Sequence, residues 1–170
     1  VAEPWSERGC RVLLLAAYDT AFDDGPLQSA HVAPIALVFL SNLLRPDAQE
    51  TFRYFASQGV SVRVISGDNP ITVAQVATRA GIENADRYVD ATTLSTEQDF
   101  EEAVKYYTVF GRVTPEQKRY LVRAFQKQGH TVAMTGDGVN DVLALKDANC
   151  GIAMASGSQA ASQVAQIVLL

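Results

Sequence analysis

The segment Gly136-Asp137-Gly138-Val139-Asn140-Asp141 sets two carboxylates and an amide among paired glycines. Glycines allow a tight backbone turn after a strand, and backbone N–H groups at a following helix start favour anions. Asp137 and Asp141 carry the hard oxygen donors that Mg²⁺ prefers, and the Asn140 amide can donate to a phosphate oxygen. The plainer reading is an acidic turn with an Asn/Asp helix cap. Ser66-Gly67-Asp68 adds a hydroxyl and an exposed backbone N–H, although Ser-Gly-Asp-Asn is also an ordinary turn. Lys118 stands one turn into a helix that starts at Thr114-Pro115-Glu116-Gln117. A lone lysine there is usually a solvated surface group. A rigid, capped helix start can also aim one ammonium at a phosphoryl group, whose transfer depends on positioning and charge neutralisation.

The elements that must position these groups follow from periodicity and punctuation. Residues 60–65 read as a strand, 66–69 as a loop and 70–80 as a helix, with Pro70 suited to the first turn and Gly81 to the stop. Residues 107–110 form a strand, and a capping box with proline at its first position opens the next helix. Leu121, Ala124 and Phe125 give that helix a buried face. A strand at 130–134, a loop at 136–138 and a helix at 139–147 follow. A strand at 150–154, a helix at 160–165 and a last apolar run at 167–170 complete the pattern. Strands alternating with helices predict an α/β fold, a Rossmann-like parallel sheet with helices on both faces. Ligands in such sheets gather at the carboxyl ends of strands, where both sharp loops lie. Residues 11–18 and 32–40 read instead as a short antiparallel pair around Asp23-Asp24-Gly25-Pro26, the edge of a neighbouring domain, with a boundary near Ser41.

Composition narrows the partners. A net charge of −5 over 170 residues, with no basic run, argues against nucleic acid and anionic membrane surfaces. Cys10 and Cys150 make neither a disulfide framework nor a metal cluster and are expected to be buried free thiols. The longest apolar run, 32–40, contains Pro34 and is shorter than the roughly 20 residues of a spanning helix. No signal peptide is recognisable at the amino terminus.

A hydroxyl loop, a lysine helix and a double-aspartate loop, in that order, resemble the haloacid dehalogenase-like superfamily. Within it the chain is most similar to P-type cation-transporting ATPases, with their Thr-Gly-Asp loop, Pro-Glu-Gln-Lys helix and Gly-Asp-Gly-x-Asn-Asp hinge. Similarity extends through Gly151-Ile152-Ala153-Met154 and back to Arg11-Val12-Leu13. The resemblance implies that residues 1–40 end a nucleotide-binding domain and 41–170 form the later part of a phosphorylation domain. By the same similarity, Asp137 would hold Mg²⁺, Asn140 would contact phosphate, and Asp141 would support the loop. Ser66, in place of the usual threonine, and Gly67 would bind phosphoryl oxygens, while Lys118 would neutralise their charge. Asp68, Arg11 and Arg45 would help to hold ATP. The implied setting is the cytoplasmic side of a bacterial plasma membrane, with an inorganic cation as transported substrate and the rest of the same protein as partner.

Three departures qualify the resemblance. Asn42-Leu43-Leu44-Arg45-Pro46 stands where the family's hinge begins with Asp-Pro, and Val142-Leu143 replaces the common Ala-Pro. The Asp-Lys-Thr-Gly-Thr nucleophile motif is absent, so the nucleophile is expected on a preceding segment and this chain alone is expected to be inactive. Two rival readings remain at this point. One is a small stand-alone phosphatase using Asp19, which has Ala21 where a general acid belongs. The other is a non-catalytic phosphate-binding regulatory module.

Overall fold

The computed structural model describes residues 10–19, 31–41 and 43–170. Strands β1 (Cys10–Tyr18) and β2 (Val32–Ser41) pair antiparallel, as their apolar runs predict; the turn expected at 23–26 lies outside the described residues. The register shifts between Leu15 and Ala16, opposite Ala36 and Pro34, so Ile35 is the extra residue and the proline sits where the ladder is already interrupted. Leu14, Ile35 and Leu40 are exposed on this ribbon.

From Ala48 onward helices and strands alternate. In order they are α1 (Ala48–Ser57), β3 (Val64–Ile65), α2 (Pro70–Arg79), β4 (Tyr88–Asp90), α3 (Glu97–Tyr106) and β5 (Val109–Gly111). Then come α4 (Pro115–Lys127), β6 (Ala133–Gly136), α5 (Val142–Asp147), β7 (Cys150–Met154), α6 (Gln159–Val164) and β8 (Ile167–Leu169). Every pairing after β2 is parallel, as expected for an α/β fold. The strands form two three-stranded sheets, ordered β3-β5-β4 and β6-β7-β8, rather than one. The strand expected at 60–65 shrinks to two residues because β5, its partner, starts only at Val109. Extended chain becomes ladder only where a neighbour accepts its hydrogen bonds. For the same reason the strand expected at 130–134 falls at Ala133–Gly136, opposite Cys150 to Ala153.

Helix α4 joins the two halves. Leu121 enters one core with Phe100 and Phe110, while its neighbour Val122 enters the other with Met134, Leu145 and Ala153. Ala124 and Phe125 are buried with Leu121, as the sequence predicts. Neither cysteine is fully buried, contrary to expectation. Cys10 starts a ribbon with exposed faces, and Cys150 starts β7 opposite exposed Ala133.

A polar clamp fixes α4 to α5. Asp147 Oδ2 accepts from Arg119 Nε at 2.7 Å and Arg123 Nε at 2.6 Å, and its backbone carbonyl accepts from Gln126 at 2.8 Å. Burial pushes the Asp147 pKa up, but the hydrogen bonds from both arginines outweigh it and hold the carboxyl below its ordinary value. A depressed folded pKa means that the unfolded chain binds the proton first, so this stabilisation is present above the ordinary carboxylate range and lost as pH falls through the folded value. With both arginines partly exposed, Asp147→Asn is expected to cost about 1 kcal/mol at neutral pH. The deficit should shrink below about pH 4. Urea unfolding of both proteins at pH 7 and pH 3 checks this; a deficit equal at both values would contradict it.

Candidate phosphoryl-transfer site

The start of α4 is built for rigidity. Thr114 Oγ1 accepts from Gln117 N at 3.3 Å, and Gln117 Oε1 accepts from Thr114 N at 3.0 Å. Pro115 occupies the first turn, and Gln117 Nε2 reaches the Ala91 carbonyl at 2.9 Å. Lys118 therefore leaves a fixed backbone. Its ammonium donates to Asp141 Oδ1 at 2.6 Å, with side chains 14% and 9% exposed. The other Asp141 oxygen accepts from Gly138 N at 3.1 Å. One carboxylate thus ties the loop after β6 to the helix that carries the lysine. Gly136 makes room for it, since a Cβ there would stand 2.5 Å from Asp141 Cβ.

Asp137 lies on the same loop with an exposed side chain. Its carbonyl accepts from Ser158 N at 2.6 Å, and Gly157 packs so closely that a Cβ would meet that oxygen at 2.5 Å. The turn ahead of α6 therefore sets where Asp137 sits. Asn140 is exposed in a 3-10 turn, Val139–Asp141, that precedes α5; the expected helix at 139–147 is divided there.

The Ser66 loop is stitched to the segment between β5 and α4. Ser66 N donates to Phe110 O at 2.9 Å, Val113 N donates to Ser66 O at 3.0 Å, and Arg112 N donates to Asp68 O at 2.8 Å. Ser66 Oγ accepts from Asp68 N at 3.1 Å, leaving Gly67 exposed at the tip. Val113 runs directly into the Thr114 cap, so the hydroxyl loop and the lysine helix belong to one hydrogen-bonded unit.

Of the nucleotide-side candidates, Asp68 belongs to this unit through its backbone. Arg45 is exposed ahead of α1 and pairs with Asp47 at 3.3 Å. Both of its hydrogen bonds to Asp47 are local, two residues along the chain, and do not link it to Ser66, Lys118 or Asp141. Arg11 belongs to β1, and its side chain lies outside the described residues. Among the described residues no three His, Cys, Asp or Glu side chains gather into a metal cluster. The loop offers a divalent cation one exposed carboxylate, which suits Mg²⁺, an ion commonly held by one or two carboxylates together with substrate phosphates. Sequence reasoning missed Asp90, Arg112, Gly157 and Ser158, whose contacts with the site loops are made across the fold rather than between near neighbours.

A family model described as "Hydrolase: haloacid dehalogenase-like hydrolase" matches residues 6–149. The chain belongs to the haloacid dehalogenase-like hydrolase family. Among curated relatives, this haloacid dehalogenase-like chain is 55% identical to "Calcium-transporting ATPase CtpE" of Mycobacterium bovis, over 99% of its own length and 21% of that protein's. It is 42% identical to "Probable cation-transporting ATPase exp7" of Streptococcus pneumoniae, over 96% of this chain and 21% of that one. It therefore spans about a fifth of the relatives it matches. Among solved structures, "Crystal structure of a zinc-transporting PIB-type ATPase in E2.Pi state" superposes with a TM-score of 0.61 at 26% identity, over 96% of this chain and 21% of that one.

Within this haloacid dehalogenase-like fold, Asp19 is poorly placed as a rival nucleophile. It follows β1 of the antiparallel ribbon and pairs with His31 Nδ1 at 2.8 Å. Ser66 and Asp137 instead follow parallel strands.

Proposed function

We propose that this chain is a cytoplasmic catalytic segment of a P-type ATPase that couples ATP hydrolysis to cation transport across a membrane. In this reading residues 1–40 belong to its nucleotide-binding domain and 41–170 to its phosphorylation domain. The observation that carries it is the unit formed by Lys118, Asp141 and the Gly138 loop, with the Ser66 loop hydrogen-bonded into the start of the same helix. The names of the relatives support it. Calcium, named for the 55% identical relative, is the first ion to test.

The residues then take these roles. The Ser66 hydroxyl and Gly67 N–H donate to phosphoryl oxygens, the Asn140 amide adds a third donor, and Lys118 supplies positive charge from a fixed helix start. Asp141 holds the ammonium in place and fixes the loop. Asp137 would hold Mg²⁺, which when bound with ATP neutralises phosphoryl charge. Asp68, Arg11 and Arg45 serve the nucleotide side.

The nucleophilic aspartate comes from a segment of the same protein outside this chain. Strands β3 and β6 each lie at an edge of their sheets, and α4 packs into both cores. A parallel strand between those edges would join the two sheets and deliver its last residue between Ser66 and Asp137. This arrangement also accounts for two sheets where the sequence predicts one.

The expected results are specific. ATP should leave an acid-stable, hydroxylamine-sensitive label on the full-length protein and none on this chain alone. Asp137→Asn should raise the Mg²⁺ concentration needed for labelling by about tenfold or more. Label on the isolated chain, or an unchanged Mg²⁺ requirement, would refute the corresponding assignment.

A further inference from the structure

We propose that Asp90 is a positioning residue for the phosphoryl-binding loop at 66–68, acting through the backbone of Arg112. The inference rests on the functional reading above and adds a residue that touches none of its ligands.

Arg112 is the anomaly that motivates it. Its φ is +52°, a left-handed conformation that costs a non-glycine residue free energy. In that conformation two consecutive N–H groups, those of Arg112 and Val113, donate to the carbonyls of Asp68 and Ser66 at 2.8 and 3.0 Å. Both ends of the Ser66-Gly67-Asp68 loop are therefore held by one unfavourable turn. Gly67 between them is exposed and, as a glycine, would otherwise sample a wide range of backbone angles.

Something must hold that turn, and Asp90 is placed to do so. Arg112 Nη1 donates to Asp90 Oδ2 at 2.7 Å. The other carboxylate oxygen accepts from Thr92 N at 3.0 Å and Thr92 Oγ1 at 2.7 Å, so the carboxylate cannot swing. Its strand position is fixed as well, because Asp90 pairs in register with Gly111. Gly111 in turn lies against Pro70, where a Cβ would come within 2.4 Å of backbone. Hydrogen bonds from Thr92, assisted by Arg112 and opposed by partial burial, hold the Asp90 carboxyl below its ordinary pKa, so it stays ionised at neutral pH. The result is a rigid anion on β4 that fixes a strained turn, which in turn fixes the hydroxyl loop.

Asp90→Asn is the selective variant: it keeps an oxygen for Thr92 but presents no charge to the guanidinium. Arg112→Gly removes the side chain while tolerating the left-handed angle. The probe is orthovanadate, a phosphoryl mimic, applied with Mg²⁺ to the full-length protein. Its half-inhibitory concentration does not depend on how much enzyme survives folding. Each single variant is expected to raise that concentration roughly tenfold. In the Arg112→Gly background, Asp90→Asn should add nothing, because the two residues act as a unit. A parent-like value for Asp90→Asn would overturn the proposal, and so would full additivity, which would mean that Asp90 acts by another route. A parent enzyme insensitive to vanadate would instead remove the functional reading beneath it.

Discussion

Lys118→Ala is expected to destabilise the chain by about 3 kcal/mol, because removing one partner of a buried ion pair strands the other. The Asp141 side chain is 9% exposed, and among the described residues it keeps only the Gly138 N–H, at 3.1 Å, once the ammonium is gone. The same change should lower phosphoryl transfer by the full-length enzyme by about a hundredfold or more, the usual scale for a group that stabilises transition-state charge. The two effects can be separated. Adding Asp141→Asn removes the stranded charge, so the double variant should regain much of the stability and none of the activity. Urea unfolding of the chain reads the first quantity, and labelling of the full-length enzyme from ATP reads the second. Recovery of activity in the double variant would show that Lys118 serves the fold alone.

Gly136→Ala should act on the same unit from the opposite side. Its Cβ would meet Asp141 Cβ at 2.5 Å, Cγ at 2.7 Å and Oδ2 at 2.9 Å, far inside the 3.5–4.0 Å typical of carbon contacts. Asp141 has little room to retreat, since Lys118 and Gly138 hold both of its oxygens. A loss of about 2–3 kcal/mol is expected from overpacking, with loss of phosphoryl transfer because the carboxylate that orients Lys118 is displaced. Gly129→Ala is the control. Gly129 has φ +86° and nothing within 4 Å of a built Cβ, so only backbone strain of about 1 kcal/mol applies. Equal midpoints for the two variants in thermal unfolding would remove the steric argument.

Local signals in the chain were legible where the contact spans few residues. Thr114-Pro115-Glu116-Gln117 specifies a capping box, and both of its hydrogen bonds are present. Pro70 opens α2, and Gly81 follows it with φ +83°. A comparable signal at Thr96-x-x-Asp99, followed by Phe100, Ala103 and Val104, marks α3 and escaped the reading, although the capping box and all three buried residues are there. Helix α1 gives a weaker signal, since none of its residues is buried. Strand limits were the least legible feature. Residues 60–65 are apolar enough for a longer strand, yet its ladder partner begins only at Val109.

What the sequence determined by itself was the set of loops, their chemical groups and their order along an α/β chain, because turns and caps are contacts between near neighbours. Only the tertiary structure decided that Lys118 meets Asp141, 23 residues away, and that Asp90 holds Arg112, 22 residues away. Those pairings depend on which strands lie side by side, and strand order is fixed by burial across the whole fold rather than by residue type or spacing.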